Sequence, residues 1–452
     1  MYSVVASKLV ILASNRIVTI LCVIIFHCTT FSQTTLIPDP SFEQALIEAN
    51  IDSNGFNGNI LNTDAEGVIT LNIFNKNITS LEGIEAFIDL KYLYCYFNNI
   101  EYLNVQNNLE LEVLDIENNS IEGLDISNNV NLKQVYISNN LLDELDISNN
   151  LELELLSCNL NNISELDISQ NLNLEVLWCY SNNLSELNFN NNVLLESLFC
   201  GENNITNLDI SNNSLLQSIS CGGNNLQTLD ISNCFDLKYL DASGNDLSEL
   251  DISSNGFLKR LLCNNNIISD FELSTADDLL LFYASGNQLT EIDLSNNSDL
   301  KYVHLDGNNL HSVDIRNAMN SEISDFNATN NPNMTCLFVD DIDAVYLNDW
   351  NIDAATTFVE TPQECNALNV KDDIKADIAF EMYPNPVTDI LNISITNTAS
   401  HFEIYNINGQ SVISKSLNKG LNQIDLSTIS SGLYMLKVYY ENQSLMKKLI
   451  ID

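Results

Sequence analysis

The stretch LEVLWCYSNN, Leu174–Asn183, places a cysteine between a tryptophan and a tyrosine, three residues before an asparagine. Its surroundings recur. At intervals of 21 residues the same column holds Cys95, Ile116, Ile137, Cys158, Cys179, Cys200, Cys221, Ala242, Cys263, Ala284 and Leu305. Three residues after each comes Asn98, Asn119, Asn140, Asn161, Asn182, Asn203, Asn224, Asn245, Asn266, Asn287 or Asn308, eleven asparagines in eleven copies. Five residues before the column stands Leu, and five after it Leu or Ile. A period near 20 is one coil of a solenoid, whose apolar edge is buried only by stacking on its neighbours.

Alternation within LWCYSN points Leu177 and Cys179 inward and Trp178 and Tyr180 outward, as in a short strand. Stacked copies then form a parallel sheet with strands about 4.8 Å apart. The asparagine turns the chain out of that sheet, and its buried amide bonds free backbone groups of adjacent turns. The eleven asparagines read as a structural ladder, not as a glycan or catalytic site. Cys179 reads as a small apolar filler in a stacked column. Parallel side chains keep neighbouring Cβ atoms about 4.8 Å apart, wider than a disulfide takes, so free thiols are expected.

The unit LxxLxCxxNxLxxLDISNNxx resembles the leucine-rich repeat, with cysteine often in place of the third leucine. The resemblance spans Leu71 to Asp340. Leu71, Ile73, Ile78 and Leu81 form a first, longer turn, and Ile323, Phe326, Ala328 and Asn331 a last one, for about thirteen in all. The fold expected is a mostly β solenoid of the α/β solenoid class, with a parallel β-sheet on its concave face. A 21-residue unit leaves no room for a full helix, so its back is extended or turn-like. The outward back column runs Asp125, Asp146, Asp167, Asn188, Asp209, Asp230, Asp251, Glu272, Asp293 and Asp314. The plain reading is a solvated face that caps local turns. The sharper one is Ca²⁺ bridging neighbouring carboxylates. No other cofactor and no metal site is implied.

With 61 acidic and 17 basic residues the chain carries −44. Such a surface repels nucleic acid and anionic lipid. Lys8 and Arg16 precede the apolar run IVTILCVIIF, Ile17–Phe26, too short to span a bilayer. Residues 1–33 read as a secretory signal peptide, whose removal takes the charge to −46. No transmembrane anchor is expected. Residues 34–70 are the N-terminal cap: Asp39 caps a helix with Pro40 in its first turn and Phe42, Leu46 and Ala49 on one face. The repeats run over 71–340, a C-terminal cap over 341–366 and a linker over 367–382. Cys336 and Cys365 flank that cap outside the repeat column and are the pair expected to form a disulfide in an exported protein. The cap itself resembles those of bacterial surface leucine-rich-repeat proteins.

Residues 383–452 hold five Lys against five Asp or Glu, unlike the acidic remainder. Alternating short strands with NG and SG turns indicate a small β-sandwich. This tail resembles the C-terminal sorting domain of type IX secretion in Bacteroidetes. The matching residues are Pro384, Asn385 and Pro386, then Gly409, Gly432 and Tyr434, then Lys447 and Lys448. The resemblance implies export across the outer membrane by the type IX machinery, then removal of the tail with surface attachment or release.

Enzyme chemistry finds no support: only His304, His311 and His401 follow the signal segment, and no nucleophile elbow, phosphate loop or zinc spacing occurs. The informative positions are outward ones on the front sheet, where the repeat imposes no residue: Tyr94, Tyr96, Tyr136, Trp178, Tyr180, Phe199, Tyr239, Tyr283 and Tyr302. Between them sit Asp115, Glu117, Ser138, Asn159, Asp241, Arg260, His304 and Asp306. Aromatics anchor interfaces because they bury large area at low entropy cost. They also suit strands for their own sake. Two function classes follow: an exported surface module that binds protein or glycan through that face, and a passive structural component of the cell surface.

Overall fold

The computed structural model describes residues 34–368, 380–395, 401–440 and 443–452. The signal peptide and residues 369–379 of the linker lie outside the described residues. Two compact units divide between Glu360 and Thr361.

The first unit is a right-through stack of repeats. Among the described residues fourteen short parallel strands form one sheet, from Thr70–Asn72 to Asn351–Ile352. Through the regular turns adjacent strands pair at a 21-residue offset, with Leu177 opposite Leu156 on one side and Leu198 on the other, while the first step is 22 residues and the last two are 23 and 24. Twelve of these fourteen strands are three residues long, because each turn needs only one inward apolar residue between two outward side chains. Leu174, Leu177, Cys179, Leu184, Leu187 and Phe189 of one turn all enter the core. Each fully buried leucine contributes about 1.5–3 kcal/mol, and only stacking supplies its partners. The back of the coil is extended or turned. It pairs as strands in two places, over Leu103–Asn104 with Leu124–Asp125 and from Glu291–Asp293 through Thr357–Val359.

The asparagine ladder closes each turn. Asn182 donates through Nδ2 to the carbonyls of Cys158 (3.0 Å) and Cys179 (3.1 Å), and its Oδ1 accepts from the Ile163 amide (3.0 Å). One carboxamide thus satisfies three backbone groups over two turns. The residue before it takes the left-handed region: Ser181 has φ 53° and Leu160 φ 56°. Glycine fills the same place at Gly223, Gly244, Gly286 and Gly307.

A second asparagine ladder runs up the back, one that the repeat pattern alone did not single out. Asn108, Asn129, Asn150, Asn171, Asn192, Asn213, Asn255 and Asn297 are fully buried. Asn171 donates to the carbonyls of Ile147 (3.1 Å) and Asn150 (2.9 Å). Unlike the front ladder, its Oδ1 is buried without a protein partner, and the same holds at all eight positions. Cys234 occupies one slot of this ladder and Ala276 another.

The front cap is a helix, Pro40–Glu48. Asp39 accepts from the amides of Ser41 (2.7 Å) and Phe42 (3.0 Å) and, through its other oxygen, from Thr79 and Ser80 of the first turn. One carboxylate therefore caps the helix and ties it to the solenoid. Phe42, Ala45 and Leu46 form the buried face. Ala49, expected on that face, instead ends the helix and is exposed, because the chain turns at Asn50 with φ 57°. At the far end Asn331 joins the front ladder, donating to Leu305 and Ala328. The segment beyond adds a further front strand, Asn351–Ile352, rather than breaking away. Phe326 and Trp350 stack at 4.4 Å under it.

The second unit holds two antiparallel sheets, Phe380–Tyr383 with Ile390–Ile395 and Gly420–Asp425, and Ser411–Ser416 with His401–Asn406, Gly432–Tyr440 and Gln443–Ile451. Phe380, Leu391, Ile393, Phe402, Ile404 and Leu436 are in their shared core. This is the small β-sandwich expected. Asn385 clamps its two ends, donating to the Lys448 carbonyl (2.9 Å) and accepting from the Ile450 amide (2.8 Å). Tyr434 donates to the Ser430 carbonyl (2.9 Å), and Lys447 to that of Phe380 (2.9 Å). Gly409 makes the turn of the middle hairpin at φ 73°.

Candidate functional site

Each front strand offers its first and third residues outward, and a third column follows two residues later. All nine predicted aromatics lie in these columns. Eight are half-buried against their neighbours, and Tyr302 is exposed. They form separate groups rather than one stripe. Tyr96 stacks on Phe74 at 4.8 Å, an aromatic the repeat arithmetic missed because it precedes the first regular turn. Trp178 stacks on Phe199 (6.0 Å, 21°), and Phe199 meets Tyr239 at 6.1 Å. Tyr283 stacks on His304 (4.2 Å, 12°), whose Nε2 pairs with Asp325 Oδ2 at 2.9 Å.

Beside the Trp178–Phe199–Tyr239 row the third column loses its side chains. Tyr180 is followed one turn on by Gly201, then Gly222, then Ser243. A Cβ on Gly201 would stand 2.8 Å from the Gly222 carbonyl oxygen, so the close approach of these turns requires glycine. The result is a hollow of ≈ 300 Å³ lined by Tyr180, Gly201, Glu202, Ser220, Asp241 and Ser243. The Tyr180 ring and the carboxylates of Glu202 and Asp241 give it both an apolar wall and hydrogen-bond acceptors. The sequence signal was the run of small residues in a column that elsewhere carries Tyr96 and Tyr180.

Toward the front end the floor is polar. Ser138 Oγ lies 2.7 Å from Ser157 Oγ and donates to Asn159 Oδ1 at 2.7 Å. Asp115 is half-buried beside them, and burial pushes its carboxyl up to about 6, against the amide of Glu117, which donates to it. The same burial, with the charges of Asp115 and Glu117, raises the Tyr136 phenol.

A larger hollow, ≈ 570 Å³, lies on the back among Asp230, Asp251 and Glu272. There each carboxylate accepts from the serine amide two residues on: Asp230 from Ser232, Asp251 from Ser253, Glu272 from Ser274, at 2.9–3.0 Å. The serine hydroxyl and amide hold the Asp230 carboxyl below its ordinary value. Among the described residues no group of three or more His, Cys, Asp or Glu converges as a metal site. The back carboxylates serve as caps of their own turns, and the front sheet is the better candidate.

The cysteines stay inside. Cys95, Cys158, Cys179, Cys200, Cys221 and Cys263 are free and fully buried in the front column, and Cys234 is free and buried in the back ladder. Burial pushes the Cys158 and Cys200 thiols up to about 12. Cys336 and Cys365 are both disulfide-bonded.

Residues 381–452 match the family described as the secretion system C-terminal sorting domain. The chain combines a leucine-rich-repeat fold with a type IX sorting tail. Comparison with curated proteins gives no match. Among solved structures it is similar to the functional domain of InlJ from Listeria monocytogenes, described as including a cysteine ladder, at 22% identity and a TM-score of 0.63, over 93% of this chain and 99% of that one. It is also similar to an internalin, InlF, from Listeria monocytogenes at 20% identity and a TM-score of 0.53, over 67% and 95%. A TDR receptor aligns at 20% identity and a TM-score of 0.56, over 62% of this chain and 53% of that one. These likenesses establish the leucine-rich-repeat fold. The sorting tail marks export by type IX secretion to the cell surface or the medium. No helix among the described residues is long and apolar enough to cross a membrane.

Proposed function

We propose that this leucine-rich-repeat protein is a non-catalytic binding or adhesion module that recognises a protein or glycan through its front sheet. The observation that carries the reading is the Trp178–Phe199–Tyr239 row bordering the glycine-floored hollow. Rigid rings held half-buried by their neighbours bring contact area with little entropy left to lose. Gly201 and Gly222 open backbone and carboxylates beside those rings, which fixes orientation as well as area. Tyr94, Tyr96, Tyr136, Tyr180, Tyr283 and Tyr302 extend the surface along the stack.

The tail delivers the module and is then removed in the linker, leaving the solenoid attached to the surface or released. In this reading the disulfide-bonded Cys336 and Cys365 are each other's partners, a bridge that would fasten the last turns after export. The test is a glycan and protein array probed with the solenoid unit freed of its tail. A hit that is lost in Trp178→Ala with Tyr180→Ala supports the reading. A hit retained in full by that variant refutes this face as the site.

A further inference from the structure

The residue just before each front strand forms a column along one edge of the sheet. In the middle turns it is acidic: Glu154, Glu175 and Glu196. After Gln217 the sign reverses, to Lys238, Lys259 and Lys301, interrupted by Leu280. The column is contiguous, since the Lys259 amide donates to the Lys238 carbonyl, the Leu280 amide to Lys259 and the Lys301 amide to Leu280, each at 2.9 Å. Side chains in this column reach the next turn, as Lys91 does to Glu112 (2.6 Å) and Lys238 to Gln217 (2.8 Å). The outward column beside it carries Tyr239, Arg260, Leu281 and Tyr302 over the same four turns. Arg260 is exposed between them.

Four of the eight basic residues of the solenoid thus gather on four turns. Elsewhere in the solenoid Lys76, Lys91 and Arg316 each hold a carboxylate, and Lys133, the remaining one, stands alone on its turn. Lys238, Lys259, Arg260 and Lys301 hold none within 4.0 Å among the described residues, in a chain with 61 acidic side chains. Asp241, an outward carboxylate on these strands, accepts from the Ser243 amide, and Asp325 pairs with His304. Asp236 and Asp299 precede the lysines without pairing with them. Like charges gathered on neighbouring turns repel one another, and a counter-charge from outside relieves that.

We propose that this edge binds an acidic polysaccharide, its carboxylates along Lys238, Lys259, Arg260 and Lys301 and its sugar rings against Tyr239 and Tyr302. The inference rests on the reading of the front sheet as a binding face and names the ligand class. Three features select that class. The strip is four turns long and two residues wide, and the acidic surroundings repel a broad acidic protein surface but not a thin chain. A peptide gains affinity by adding its backbone to a sheet edge, and here the backbone groups already bond from turn to turn. Tyrosine faces beside cations match rings that carry both apolar C–H faces and a carboxylate.

The test is titration of the secreted chain with polygalacturonate, dextran and poly-glutamate, in 50 and 200 mM salt. Lys238→Gln with Lys259→Gln and Arg260→Gln removes three exposed charges and leaves the core intact, checked by an unchanged thermal midpoint. We expect polygalacturonate to bind, salt to weaken it, and the triple variant to lose affinity by about 10-fold or more. Absence of polygalacturonate binding, equal binding by the triple variant, or equally tight poly-glutamate or dextran binding overturns the proposal. Binding lost in Trp178→Ala with Tyr180→Ala but kept in the triple variant leaves the front-face reading standing and sinks this one. The opposite pattern supports the cationic edge and refutes the aromatic one.

Discussion

The two asparagine ladders offer a measurement that separates their roles. Asn182→Ala removes a carboxamide that serves three backbone groups: the Ile163 amide and the carbonyls of Cys158 and Cys179. The Ile163 amide becomes buried and unpartnered, at about 1–3 kcal/mol, while the Cys158 and Cys179 carbonyls keep Asn161 and Asn203 and lose one bond each at about 0.5–1 kcal/mol, for a loss of about 2–5 kcal/mol. Asn171→Ala removes two bonds, to Ile147 and Asn150, and also removes an Oδ1 that had no partner. Loss of that desolvated acceptor offsets about 1 kcal/mol, leaving a cost of about 1–2 kcal/mol. At about 2 °C per kcal/mol for a chain of this size, the Asn182→Ala midpoint lies about 2–6 °C below that of Asn171→Ala. Thermal melts followed by far-UV dichroism give the midpoints, and amide exchange of Ile163 reports the lost acceptor directly. The back ladder already tolerates Cys234 and Ala276, while the front ladder is asparagine at all eleven regular turns. An Asn171→Ala midpoint as low as that of Asn182→Ala would refute the reasoning. Reversal is expected too: Cys234→Asn, which gains donors for the carbonyls around its slot, raises the midpoint.

Leu160, exposed at φ 56°, is held where a side chain costs about 1–2 kcal/mol, so Leu160→Gly stabilises by about 0.5–1 kcal/mol once the looser unfolded chain is counted. An unchanged or lower urea midpoint counts against this. Asp115, raised from 3.8 to about 6 by burial, holds its proton more tightly folded than unfolded, so its contribution falls as pH rises through that window. Asp115→Asn is therefore more stable than the parent at pH 8, by about 1 kcal/mol after discounting for its partial exposure, and no different at pH 3.5. A pH-independent difference between the two would show another cause. The seven free thiols among the described residues are buried, with Cys234 pushed up to about 11 by burial, so iodoacetamide at pH 8 modifies none of them until the chain is unfolded. Mass spectrometry of native and urea-treated samples counts the adducts.

Much of this molecule can be read along the chain because its contacts are translationally repeated. The spacing that puts Leu177 against Leu156 and Leu198 is printed in the sequence as a 21-residue period. The front ladder was legible because its slot needs two donors and an acceptor in one short side chain, which only asparagine supplies there. The back ladder was not, because its slot uses only the donors. Cysteine and alanine interrupt it, and the surrounding SNN runs hide which asparagine is buried. At the ends, where the period stops, reading weakened: Ala49 fell outside its helix, and the last segment became another front strand.

The sequence by itself determined the coil, the sheet, the buried column of Cys179 and its neighbours, and the sorting tail. Each of these depends on a local pattern that stacking merely repeats. Only the tertiary structure decided how the outward side chains group. Trp178, Phe199 and Tyr239 come from three turns and two columns, and they become one row only when the turns are laid side by side. The hollow beside them exists because Gly201 and Gly222 let two backbones approach. The unpaired cations along the edge are likewise visible only when the distance from each lysine to every carboxylate is known. Outward positions carry no packing constraint from the repeat, so their meaning lies in neighbours 21 residues away rather than in the residues beside them.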